Sequence, residues 1–136
     1  MHDVTIAIVE DDDGHAHLIK KNLRRGNINN TVERFSNGQL FLDYLKTEQA
    51  KARHHLVLLD LNMPVLDGYE VLNRMKADER FKRIPVVVLT TTDDPREIER
   101  CYDAGCNVYI TKPVEYEKFS AAIRELGLLL NVMAVP

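Results

Sequence analysis

At 136 residues, with 45% hydrophobic and 29% charged side chains, the chain is long enough for one buried core and too short for two. A formal net charge of -3 excludes the broad basic footprint that nucleic-acid binding needs. The two cysteines, Cys101 and Cys106, give neither metal-site spacing nor a disulfide framework, and no apolar run is long enough to span a bilayer, so a soluble cytoplasmic domain is expected.

In chain order, "VTIAIV" at residues 4–9 is a nearly continuous β-branched run, which reads as a strand buried on both faces. It is too short for a secretory signal and stops at Glu10-Asp11-Asp12-Asp13. Leu18, Ile19 and Leu23 mark a first helix, ending before Gly26. "TVERF" at 31–35 is the second strand, and Leu40, Phe41, Tyr44 and Leu45 mark the second helix. "HLVLLD" at 55–60 is the third strand, with His54 and His55 expected as solvated residues at its entry. A third helix opens near Asp67-Gly68 and carries Val71, Leu72 and Met75; "DERFKR" is its exposed end, with Phe81 tucked inward. "IPVVVLT" at 84–90 is the fourth strand. The fourth helix has Asp94 as N-cap, Pro95 at its first position, Ile98, Cys101 and Tyr102 along it, and Gly105 as its stop. "NVYIT" at 107–111 is the fifth strand, and a fifth helix is predicted from about Glu115, with Phe119, Ala122, Ile123 and Leu126 on one face. Strict β-α alternation predicts an α/β single domain over residues 1–136, with a parallel sheet and helices on both faces. Its core covers about 4–126, and an apolar extension, "GLLLNVMAVP", follows at 127–136.

Ligands of open parallel sheets bind beyond the carboxyl ends of the strands, where strand order reverses. Here those ends carry Glu10 to Asp13, Asp60, Thr90-Thr91-Thr92 and Thr111-Lys112-Pro113. In the order 2-1-3-4-5 the first and third strands are neighbours, and Asp60 faces the acidic cluster. Two carboxylates about 4 Å apart repel by roughly 4 kcal/mol at an effective dielectric near 20. Such a cluster needs a cation or a raised pKa. Oxygen ligands without His or Cys select a hard metal, Mg²⁺ above all. His15 and His17, two residues apart, do not share a helix face as a metal pair would.

"VED", "LLDLNMPVLDGYE", "PVVVLTTT" and "YITKP" stand in one order and spacing that resembles the receiver domain of bacterial two-component response regulators, in its chemotaxis-type single-domain form. The resemblance covers residues 4 to about 126 and implies a flavodoxin-like five-stranded sheet, order 2-1-3-4-5, with an aspartate phosphorylated in the presence of Mg²⁺. Position by position, Asp60 resembles the phosphoacceptor. Asp11 resembles a direct metal ligand, Glu10 one that acts through water, and Asn62 the donor of a metal-binding backbone carbonyl. Thr90 matches the switch hydroxyl and Tyr109 the switch aromatic. Lys112 matches the lysine before a proline, whose peptide bond is usually cis in the family. Glu10 stands where many members have Asp, and Thr91 is bulkier than the alanine or glycine often found there, which narrows access to the phosphoryl group.

The resemblance implies a signalling protein rather than an enzyme with a separate substrate. It takes its phosphoryl group from a sensor histidine kinase, catalyses its own phosphorylation and dephosphorylation, and signals by protein contact or phosphorelay. The signalling surface would be the fourth helix, fifth strand and fifth helix, read by an unidentified downstream protein. "GHAHLIKKNLRR", the basic, His-containing stretch before the third strand and the apolar tail are similar to regulators paired with phytochrome-type kinases. The tail also predicts a homodimer. A flavin binder is disfavoured because "EDDDG" repels phosphate, and a dehalogenase-type phosphatase because position 62 is Asn rather than a second acid. A binding module that is never phosphorylated stays open, although such modules normally lack one of the site residues and this chain lacks none.

Overall fold

A computed structural model of the chain describes residues 4–112, together with Glu117 and Ala121. The remainder of the predicted fifth helix, Pro113 and the apolar extension lie outside the described residues. The elements are β1 (Val4–Val9), α1 (Asp13–Arg25), β2 (Val32–Phe35), α2 (Gly38–Leu45), α3 (Glu48–Lys51), β3 (His54–Asp60), α4 (Gly68–Ala77), β4 (Val86–Thr90), α5 (Pro95–Asp103) and β5 (Val108–Thr111). All strand pairs are parallel, in the order β2-β1-β3-β4-β5. This is the expected flavodoxin-like arrangement, with α5 as the fourth predicted helix.

Strand alternation divides the core between two faces. Ile6, Ile8, Leu56, Leu58, Val87 and Leu89 pack with Ile19 and Leu23 of α1. Ala7, Val9, Val57, Leu59, Val86 and Val88 pack on the other face with Phe41 of α2, Val71, Leu72 and Met75 of α4, and Cys101 of α5. β1, β3 and β4 are buried along nearly their whole length, because both faces are covered. β2 lies at the edge and is only half-buried.

Helix starts follow local capping chemistry. Asp12, Asn37, Thr47, Asp67 and Asp94 each accept a backbone N–H of the first helical turn with their side chain. Pro95 occupies the first turn of α5 as expected. After α5, Gly105 takes φ +107°, as its role as a stop requires. After α1 the left-handed position falls on Asn27 at φ 62°, while Gly26 caps at φ -81°.

Several expectations are corrected. The single turn α3 interrupts the strict alternation; four residues are too few to carry a helical period. Leu18, Leu40 and Tyr102 are about half exposed, at 49%, 51% and 47%. In α1 the buried stripe is Ala16, Ile19 and Leu23 with Asn22, the spacing of one helix face, and Leu18 lies outside it. His55 is buried at 4%, not solvated. Alternation turns it inward, where Nε2 lies 2.9 Å from the Tyr44 hydroxyl and the rings meet edge-on at 5.5 Å. His54 is exposed as expected, and Phe81 is buried.

Candidate functional site

The strand register brings the polar strand ends together. Val9 pairs with Leu59, so Glu10 and Asp60 emerge side by side from adjacent strands. Glu10 is 1% and Asp60 4% exposed, while Asp11 faces solvent. Carboxylate oxygens of the three lie within 4.8 Å of one another. Thr90 pairs with Thr111, and the next amide, Lys112 N–H, donates to the Thr90 carbonyl at 2.6 Å. That bond carries the Lys112 side chain back over the site. Its Nζ donates to Glu10 Oε1 at 2.7 Å and Asp60 Oδ1 at 3.4 Å, and both ion pairs are largely buried.

The electrostatics follow from this crowding. Burial pushes the Asp60 carboxyl well above the ordinary range; the hydrogen bond and charge of Glu10 push the same way, against Lys112. Burial also pushes Glu10 up, but its bonds to Lys112 and Asp60 and the Lys112 charge outweigh this and hold it below its usual value. The two carboxyls are therefore pushed in opposite directions, Asp60 up and Glu10 down, as two acids crowded at one place must be. A cation at the same place would relieve the repulsion, and an all-oxygen set with one solvent-facing member suits a hard divalent ion that keeps part of its water.

Thr90 is fully buried. Its hydroxyl has long bonds from Asn62 Nδ2 and Thr92 N–H, both 3.4 Å. Tyr109, half-buried on β5, donates its hydroxyl to the Thr92 carbonyl at 2.8 Å. Thr90 and Tyr109 are therefore joined through one loop, residues 90–92. Thr91 is exposed and its hydroxyl lies 3.5 Å from Asn62 Nδ2. Asn62 N–H lies 3.4 Å from Asp60 Oδ1.

Three residues of the site were not read from the sequence. Arg34 of β2 donates through Nε and Nη2 to the Glu10 carbonyl at 3.0 and 2.8 Å, and bonds Asp13 at 2.6 Å, fixing the turn that bears the acids. Only the β1–β2 register, Ile8 opposite Arg34, could have revealed it. His15, set aside in the sequence, brings its Nδ1 to 3.4 Å from Lys112 Nζ and 3.6 Å from Glu10 Oε1. Gly68 packs against the Asp60 backbone so closely that a Cβ would collide with its carbonyl oxygen.

The response regulator receiver domain family matches residues 6–124. A response regulator receiver domain from Rhodospirillum rubrum is 52% identical in sequence and superimposes with a TM-score of 0.79, covering 97% of this chain and 96% of that one. The phosphorylated cyanobacterial phytochrome response regulator RcpA is 34% identical, with a TM-score of 0.76 over 96% of each chain. Response regulator Rcp1 of Synechocystis is 34% identical over 110 residues, 79% of this chain and 75% of the relative. Its Mn²⁺-bound structure superimposes with a TM-score of 0.73 over 90% of each chain, at 30% identity.

Proposed function

The chain belongs to the response regulator receiver domain family, and from that premise we propose that Asp60 accepts a phosphoryl group from the phosphohistidine of a sensor histidine kinase. The observation that carries this reading is the buried Asp60 held between Glu10 and Lys112, with an exposed acid, Asp11, beside it. A carboxylate oxygen of Asp60 attacks phosphorus in line, the O–P bond forms, and the P–N bond to the donor imidazole breaks. Lys112 already reaches both carboxylates and bonds the phosphoryl oxygens that the transfer adds. Glu10, Asp11 and Asp60, with the Asn62 carbonyl, would hold Mg²⁺, which supplies positive charge against those oxygens. The Mn²⁺ bound by Rcp1 supports a divalent ion in this place.

Thr90 exchanges its two long bonds for one to a phosphoryl oxygen. Tyr109, tied to the Thr92 carbonyl, carries the loop movement to β5. The output surface is then α5, β5 and the predicted fifth helix, read by protein contact or phosphorelay. The likeness to RcpA and Rcp1 supports a phytochrome-type kinase as donor. No helix among the described residues is long and apolar enough to cross a membrane, which is consistent with a cytoplasmic site of action. Residues 1–136 act as one receiver unit, and the apolar extension joins two copies.

Intact mass after incubation with phosphoramidate and Mg²⁺ tests the assignment. The chain should gain one phosphoryl group, lose that gain with a chelator, and fail to gain it as Asp60→Asn. Uptake by Asp60→Asn at the original rate would sink the assignment. No uptake by the unsubstituted chain favours the unphosphorylated binding module.

A further inference from the structure

Lys112 stands over the site, and its ammonium group has three protons to place. The structure offers three acceptors for them: Glu10 Oε1 at 2.7 Å, Asp60 Oδ1 at 3.4 Å and His15 Nδ1 at 3.4 Å. An ammonium accepts nothing, so Nδ1 is the accepting nitrogen of His15 and the ring proton sits on Nε2. The His15 backbone is fixed in the first turn of α1, where its N–H donates to the Asp12 cap at 2.9 Å. Its side chain is 52% exposed, yet it lies against a lysine whose side chain is only 11% exposed.

Phosphoryl transfer treats these three acceptors differently. Asp60 is the nucleophile, and the charge of its carboxylate is lost as its bond to phosphorus forms. Glu10 is one of the acids that would hold the divalent ion, and a cation at that place competes with Lys112 for its charge. Among the described residues, His15 is the partner of Lys112 that the chemistry leaves unchanged. The transfer passes through a state with negative charge spread over three equatorial phosphoryl oxygens. Lys112 must be aimed at those oxygens just as its two carboxylates release it.

We infer that His15 is a positioning residue for phosphoryl transfer: its Nδ1 keeps one Lys112 proton while the other two turn from the carboxylates to the phosphoryl oxygens. The inference rests on the proposed function of Asp60 and adds to it a side chain that acts only through Lys112. Hydrolysis of the phosphorylated aspartate crosses the same kind of charged state, so the residue serves gain and loss of the group alike.

Three substitutions read the role of Nδ1. Asn places its Oδ1 two bonds from Cβ, as Nδ1 is placed, and keeps an acceptor toward Lys112. Gln carries its polar atoms one bond further out, and Ala carries none. With phosphoramidate at saturating Mg²⁺, His15→Ala should lower the rate constant of uptake about three- to tenfold, the worth of one such hydrogen bond. Hydrolysis of the phosphorylated chain should slow by the same factor. His15→Asn should restore both rates, and His15→Gln should restore neither. A second reading needs neither metal nor phosphodonor: by NMR, exchange of the Lys112 ammonium protons with water should quicken in His15→Ala and His15→Gln and stay slow in His15→Asn. Normal uptake by the unsubstituted chain with unchanged rates or unchanged ammonium exchange in His15→Ala overturns this inference alone. So does rescue by Gln equal to that by Asn, or no rescue by Asn. Absence of uptake by the unsubstituted chain overturns the Asp60 assignment and this inference together.

Discussion

Asp60 meets three demands at once: burial among strand ends, a hydrogen-bonded acid beside it, and a lysine donor above it. Each depends on a neighbour that does no chemistry. Arg34 grips the Glu10 carbonyl with two donors, and Gly68 lets α4 begin directly against the Asp60 backbone. A methyl at position 68 would collide with the Asp60 carbonyl oxygen and approach Leu61 Cα at 2.8 Å. Both are backbone atoms with no side-chain torsion to relieve the contact. Gly68→Ala should therefore destabilise the fold by about 2–3 kcal/mol, in the range of overpacked cores, and slow phosphoramidate uptake by displacing Asp60. Gly14→Ala is the control. Its Cβ meets only Asp12 Oδ1, at 3.2 Å, a side-chain oxygen that can give by a few tenths of an ångström while still capping His15 N–H, and Ala is the better helix former. Urea unfolding of the two variants checks this; a Gly68→Ala protein within about 0.5 kcal/mol of the original would show that the backbone gives way without loss.

Between elements, the Tyr44–His55 contact joins α2 to β3, and it has a pH dependence of known sign. Burial pushes the His55 imidazole below its ordinary range, the charges of Arg53, just before β3, and of His54 add to this, and Glu33 of β2 opposes it. The folded state therefore binds fewer protons at His55 than the unfolded chain. Stability is full above the unfolded pKa near 6.5 and is lost as pH falls from there through the lower folded pKa. Unfolding free energy measured from pH 7.5 to 5 should fall more steeply for the unsubstituted chain than for His55→Gln, by at most about 1.4 kcal/mol per pH unit. Parallel curves would remove His55 from the acid response. The same residue shows what was legible in the sequence. Short apolar segments, β-branched and nearly continuous in three of the five, placed all the strands within two residues of their bounds, and Asp94-Pro95 placed α5, because these signals are local. Alternation could have turned His55 inward, but the pairing of two histidines read as polar. Leu18 and Leu40 misled because hydrophobicity alone does not say which face of a short helix is covered. The acids and Lys112 were legible because each stands at a strand end. Arg34, His15 and the tight fit of Gly68 needed the register that tertiary packing supplies.

At the scale of the whole molecule, both faces of the sheet carry filled apolar clusters, and the chain still has "GLLLNVMAVP" to accommodate. Leu128, Leu129, Leu130, Val132, Met133, Ala134 and Val135 are apolar, and an apolar segment left in water is of the kind that marks an interface. Fully burying a Val, Leu or Met side chain stabilises by about 1.5–3 kcal/mol. Several such residues from each of two copies would outweigh an association cost on the order of 4–15 kcal/mol. In the proposed two-fold dimer every contact would be doubled, because each segment would meet its own copy. α5 adds Tyr102, 47% exposed, to the same proposed surface, and its outer face is otherwise charged, with Arg96, Glu97, Glu99 and Arg100. An isologous dimer through α5, β5, the predicted fifth helix and the tail would thus couple assembly to the loop that Thr90 and Tyr109 share. Light scattering at high micromolar concentration should give twice the chain mass for residues 1–136 and the single-chain mass for a version ending at Leu126. The dimer fraction should change on phosphorylation and not change in Asp60→Asn. A full-length chain that stays monomeric with and without phosphate rules the dimer out, and a truncated chain that still dimerises removes the tail from the interface.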